Sequence, residues 1–169
     1  MTTIARWLSG FFSYNNANSS VVISISYHLK LWNVLSLQQI DHSMKIEHLG
    51  IAVKDLDAAN ALYTSLLGNG PYKAEEVESE NVLTSFFQTG ESKIELLAAT
   101  APESAIATYI EKRGEGIHHV AFRVDDIRAE MERLREAGFR LLNEEPKRGA
   151  DNMWVCFVHP ISANGVLVE

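Results

Sequence analysis

The chain is poor in cysteine, in proline and, over its first quarter, in charge. Among 169 residues there is one cysteine, Cys156, so no disulfide can form within the chain and a reducing compartment is expected. Four prolines and ten glycines are too few for a proline-rich or collagen-like polymer. No stretch reaches the ~20 uninterrupted apolar residues of a membrane-spanning helix, so no membrane partner is expected. Basic residues number 15 against 22 acidic ones, a formal net charge of −7. That balance lacks the clustered Lys and Arg that phosphate backbones require and argues against nucleic acid as a partner. What is there, 46% hydrophobic and 22% charged residues, is the composition of a folded globular domain.

The scarcity of charge is concentrated in residues 1–43, which carry only Arg6, Lys30 and Asp41. This segment also holds the polar run Ser13–Ser20, without helical or strand period. Ile4–Phe12 is a poor version of a secretory signal, and a single Arg is few for a mitochondrial presequence. The reading favoured here is an atypical leader, a disordered segment or an extension upstream of a true start at Met44. Ser20–His28 alternates enough for a small appended strand. His28 and His42 lie in this leader and carry no argument.

From Met44 onward the text is charged, patterned and repeated. Ile46-Glu47-His48-Leu49-Gly50-Ile51-Ala52-Val53 returns 71 residues later as Ile117-His118-His119-Val120-Ala121-Phe122-Arg123-Val124. Each copy alternates like a half-buried strand. Each is followed by a helix, capped by Asp55 in the first copy and by Asp125 or Asp126 in the second. Leu56–Leu67 would turn Ala58, Ala59, Leu62 and Leu66 to one face before the break at Gly68-Asn69-Gly70-Pro71. Ile127, Met131, Leu134 and Ala137 recur in the second helix, which Gly138 ends. Three strand-like segments come after each helix: Tyr72–Val77, Val82–Gln88 and Lys93–Leu97, then Phe139–Leu142, Met153–His159 and Val166–Glu169. Ser104–Lys112 reads as a helix linking the copies. The expected fold class is α+β: two paired βαβββ modules, about 44–100 and 115–169, forming one domain over 44–169. Neither module can bury its sheet face alone, so the two share a curved sheet around a cleft.

The repeat also sets out metal-type ligands in pairs. His48 and His119 stand on the first strand of each copy, and Glu95 and Glu169 on the last. Their spacings are near-equal, 47 and 50 residues. A carboxylate interrupting an apolar strand is costly to bury without a partner, and a divalent cation held by two imidazoles and two carboxylates removes that cost. Such mixed ligands suit Zn, Mn, Co, Ni or Fe better than Ca. His118, adjacent to His119, is expected on the opposite face of the pleat as a structural or surface residue. His159, before Pro160, reads as a hydrogen-bonded turn residue. Trp154, Phe157, Phe86 and Phe87 read as core, and Cys156 as a buried inert thiol.

At these residues the sequence resembles the vicinal oxygen chelate superfamily and, within it, the methylmalonyl-CoA epimerase family. The likeness is carried by His48–Leu56, Lys93–Leu97, Gly116–Ile127, Glu145–Ala150, Phe157–Pro160 and Gly165–Glu169, and it covers Met44–Glu169. It implies one divalent metal ion (Co, Mn, Zn, Ni or similar) on His48, Glu95, His119 and Glu169. It implies an isomerase that interconverts the (R) and (S) forms of methylmalonyl-CoA through an enolate. By analogy with related glyoxalases, Glu95 and Glu169 are its acid/base residues. A glyoxalase I-type lactoylglutathione lyase, or another enzyme of the superfamily, is the alternative on the same scaffold, and a metal-free binding or resistance module is a third reading. Some members carry a further acid/base glutamate where this chain has Thr84, whose hydroxyl is a poor base. Members usually continue past the last ligand, so the sequence is expected to be cut short at Glu169. Lys147 and Arg148 are candidates for the substrate's anionic end. The partners expected are a small acyl-CoA substrate and a second copy in a homodimer. The location expected is cytoplasmic, or the mitochondrial matrix in a eukaryote.

Overall fold

The structure, a computed structural model, describes residues 44–169; the expectations for residues 1–43 lie outside them. The first strand, β1 (Lys45–Ala52), leads into α1 (Leu56–Leu67), then β2 (Lys73–Val77), β3 (Val82–Thr89) and β4 (Ser92–Ala99). A linking helix, α2 (Ala105–Arg113), precedes the second copy of the strand, β5 (Gly116–Arg123), and its helix, α3 (Ile127–Glu136). Three two-residue strands finish the order: β6 (Lys147–Arg148), β7 (Trp154–Val155) and β8 (Leu167–Val168). Among the described residues no helix is long and apolar enough to cross a membrane.

Caps fix where the helices start. The Asp55 carboxylate accepts from the Ala58 amide at 2.9 Å, and Gly68, at φ 76°, closes α1 in the left-handed conformation that glycine adopts without strain. Asp126, not Asp125, caps α3 by accepting from the Arg128 and Ala129 amides. With α1 phased from its cap, its inward face is Leu56, Ala59, Tyr63 and Leu67, packed on Val53, Phe87, Leu96 and Ala98. The expected stripe of Ala58, Leu62 and Leu66 instead points outward: Leu62 and Leu66 are 64% and 71% exposed. In α3, Met131 is buried as expected, while Ala137 is the exposed cap residue.

Six strands form one curved sheet in the order β2-β3-β4-β1-β5-β8. The two copies of the first strand, β1 and β5, are neighbours in it and run antiparallel. Each has the last strand of its own module beside it in parallel, β4 against β1 and β8 against β5. The duplication thus generates an approximate twofold axis between β1 and β5. The second module keeps the pairing order of the first but not its strand lengths. Leu141 bridges Val158 and Val158 bridges Val168 as isolated antiparallel pairs, where the sequence pattern predicts full strands. Pro146, Pro160 and the positive-φ residues Asp151, Asn152, Asn164 and Gly165 interrupt the ladder there, and Lys147–Arg148 pairs with Trp154–Val155 in a separate small hairpin. Trp154 is consequently half exposed rather than core, whereas Phe86 and Phe87 are buried.

Candidate metal centre

The strand register brings the paired histidines and glutamates together. Gly50 lies between Glu95 on β4 and His119 on β5. One row away, His48 pairs with Ala121, and the Glu169 backbone bonds the residues on either side of Ala121, from its amide to the Val120 carbonyl and from its carbonyl to the Phe122 amide. The axis exchanges these rows: Gly50 for Ala121, Glu95 for Glu169, His119 for His48. Gly50, two residues after His48, must lack a side chain because the His119 imidazole lies over it. A Cβ added at Gly50 would come within 2.6 Å of Nε2 of His119.

All four side chains therefore point into one cleft of about 650 Å³ on the face of the sheet opposite α1. The two imidazoles present Nε2 to each other at 2.9 Å. Oε2 of Glu95 lies 3.1 Å from Nε2 of His48 and 3.5 Å from that of His119. Oε2 of Glu169 lies 3.7 and 3.1 Å from the same two atoms. The donor atoms of His48, Glu95 and His119 all lie within 4.8 Å of one another. Donors bound at about 2.0–2.2 Å to one cation, at tetrahedral or right-angled separation, lie roughly 3.0–3.5 Å apart. The spacing of His48, Glu95 and His119 is compatible with a divalent cation; Glu169 stands beside them, 3.1 Å from His119 and 3.7 Å from His48.

Electrostatics say the same. Glu95 and His119 are only 3% and 4% exposed. Burial opposes the charged form of every group here, yet the hydrogen bonds overcome it. Those from Glu169, Glu47 and Glu95 push His48 up to about 11, and His119 is raised by Glu169 and Glu95. Glu169 is drawn down to about 2 by the two imidazoles, and Glu95 is lowered by the same pair. Two buried carboxylates facing two buried imidazoles demand positive charge between them, and protons or a cation can supply it.

His118 departs from expectation. A register irregularity of the β1–β5 pair falls at the residue preceding His48 and at the one preceding His119: Ile46 and His48 face consecutive residues of β5, leaving Glu47 unpaired, and His118 is likewise skipped. Such a bulge turns a side chain that the pleat would send to the other face. His118 accordingly lines the cleft, with Nδ1 3.0 Å from Nδ1 of His119. Burial, and then the charge of His119, push it down to about 4. Glu47 likewise lines the cleft, its Oε2 2.5 Å from Nδ1 of His48. Sequence reasoning missed Glu47. The available signal was its repeat position, shared with His118, directly before a ligand-type histidine.

Lys93, also missed, projects into the cleft two residues before Glu95 and donates to Glu47 at 2.6 Å and to Asp151 at 3.3 Å. Lys147 and Arg148 line the same cleft; Lys147 is paired with Glu80, and Arg148 stacks on Trp154 at 3.8 Å. Thr84 is buried on the cleft lining, its hydroxyl donating to the Glu75 carbonyl. His159 is a turn residue whose Nδ1 accepts from the Ile161 amide. Cys156 is partly buried, and burial pushes its thiol up, away from reactivity.

A duplicated module with a two-histidine, two-carboxylate cleft at its axis is compatible with a divalent-metal centre, and comparison gives the family. Residues 47–157 match the model of the Glyoxalase/Bleomycin resistance protein/Dioxygenase superfamily, and the chain belongs to that superfamily. Over 127 residues it is 42% identical to the ethylmalonyl-CoA/methylmalonyl-CoA epimerase of Cereibacter sphaeroides, covering 74% of this chain and 95% of the relative. It is 37% identical over 126 residues to the mitochondrial methylmalonyl-CoA epimerase of Homo sapiens, covering 74% of this chain and 72% of the relative. The structure resembles a variant of Streptomyces coelicolor methylmalonyl-CoA epimerase solved with 2-nitronate-propionyl-CoA. That match has a TM-score of 0.69 and 35% identity, over 73% of this chain and 93% of that one.

Proposed function

We infer that this chain is a methylmalonyl-CoA epimerase, interconverting the (R) and (S) forms of its substrate through an enolate. The observation that carries the reading is the convergence of His48, Glu95 and His119 in one cleft, with Glu169 beside them, in a chain whose relatives are named for that reaction. We propose these four residues as the ligands of one divalent cation, of the Co, Mn, Zn or Ni type. The cation, when bound, supplies Lewis-acid stabilisation of the oxygen charge that develops as the proton leaves.

The protein's own residues supply the rest. Epimerisation needs a proton taken from one face of a carbon and returned to the other. Glu95 lies on β4 and Glu169 directly follows β8, the strands flanking the β1–β5 pair on opposite sides. A substrate carbon held over the imidazoles would meet one carboxylate on each side, and this supports the two glutamates as the acid/base pair. Thr84 has no ionisable group to join them. Arg148, with its guanidinium on Trp154, and Lys147 are proposed to meet the phosphates of the CoA end. The catalytic domain is proposed as 44–169, working as a homodimer in the cytoplasm, or in the mitochondrial matrix if the source is eukaryotic.

The test supplies a single epimer of methylmalonyl-CoA to the metal-replete protein and follows loss of chirality. Epimerisation is expected, and it is expected to fall at least 100-fold with chelator and with His119→Ala. A metal-replete, folded protein that leaves the epimer intact contradicts the reading.

A further inference from the structure

The two bulges put unlike residues at equivalent places. We propose that Glu47 is a positioning residue for His48, that His118 holds the matching place for His119, and that the difference makes the two imidazoles unequal as metal ligands. The proposal rests on the reading of His48 and His119 as ligands of a divalent cation.

Each bulged residue reaches the outer nitrogen of the histidine beside it. Glu47 Oε2 lies 2.5 Å from Nδ1 of His48, and Nδ1 of His118 lies 3.0 Å from Nδ1 of His119. If Nε2 gives its lone pair to the cation, the proton of each ligand ring must sit on Nδ1. His48 then donates to a carboxylate. His119 donates to His118, which must offer the lone pair of its own Nδ1 and carry its proton on Nε2. Both ligand tautomers are thereby set by the preceding residue, one through an anion and the other through a neutral ring.

Each partner is itself held. Glu47 Oε1 accepts from Lys93 at 2.6 Å and from Arg123 at 3.2 Å, so the carboxylate is clamped by cations on the side away from His48. His118 stands edge-on to the Tyr109 ring, with centroids 4.9 Å apart, and the Tyr109 hydroxyl is tied to the Ile117 carbonyl at 2.6 Å. A charge-assisted hydrogen bond to a carboxylate makes an imidazole a stronger donor than a bond to a neutral ring does. His48 is the anchoring ligand of the pair and His119 the more easily released one.

The experiment measures Co2+ affinity by competition with a chromogenic chelator for wild type, Glu47→Gln and His118→Ala. Unfolding of each metal-free variant is checked, and His118→Asn replaces the alanine variant should that fail to fold. The isosteric Glu47→Gln should weaken Co2+ binding about 10- to 100-fold, and the His118 variant should weaken it less. In Zn2+-loaded protein, the Nδ1–H proton resonance of His48 should move upfield in Glu47→Gln while that of His119 stays in place, a change that general loosening of the fold would not confine to one ring. Wild-type affinity in Glu47→Gln, an equal or larger loss in the His118 variant, or an unmoved His48 resonance overturns the proposal. Wild-type protein that takes up no Co2+ overturns the metal reading itself, and this proposal with it.

Discussion

At the scale of the residue, the centre depends on a small residue as much as on its histidines and glutamates. Gly50 is the spacer that lets Glu95 and His119, two strands apart, reach the same point. Gly50→Ala should displace the His119 ring and cost about 1–3 kcal/mol in overpacking. Metal affinity should fall with it, to be read by chelator competition beside a denaturant titration. The symmetric Ala121→Gly leaves room over His48 and should spare affinity. The clustering of His48, Glu95, His119 and Glu169 was legible in the sequence because the duplication displays the pattern twice. Glu47 and His118 were not, because period-two reasoning assigns adjacent residues to opposite faces, and a bulge breaks that rule without a mark in the composition.

At the scale of the element, the α-helix and every strand of the first module were legible, with ends within two residues, though the inward face of α1 was not. Its strands are long, and its helix is bounded by Asp55 and Gly68. The second module's strands were overread, because the apolar runs of 139–142 and 153–159 resemble ladders that the intervening turns reduce to single bridges. Core and rim residues separate accordingly. Phe87, fully buried between the sheet and α1, should cost about 3–5 kcal/mol when replaced by Ala. Trp154, which the sequence suggested as core, should cost under about 1 kcal/mol. The cap variant Asp126→Ala, which removes the acceptor of two amides, should cost about 1 kcal/mol. Equilibrium denaturation of the three variants checks the order.

At the scale of the whole molecule, the centre couples stability to pH. His48, held at about 11 instead of 6.5, stabilises the metal-free fold fully below pH 6.5 and loses that contribution as the pH climbs toward 11. Glu169 and Glu47, held at about 2 instead of 4.5, stabilise it above pH 4.5 and lose theirs as the pH falls toward 2. His118, held at about 4 instead of 6.5, costs stability as the pH falls below 6.5, so the metal-free protein should show its highest unfolding temperature at the upper end of the window between pH 4.5 and 6.5. A cation takes the place of the imidazole protons, so metal should raise the unfolding temperature most above that window, with about 2.7 kcal/mol expected at a hundredfold excess over Kd. Calorimetry with and without metal across this range reads both effects. The most direct measurement of all is deuterium uptake from solvent into methylmalonyl-CoA, followed as metal is titrated into metal-free protein. Uptake should begin from nothing, rise in proportion to bound metal and level off at one ion per chain. Full uptake by the metal-free protein, or none at one ion per chain, would contradict a metal-centred epimerase.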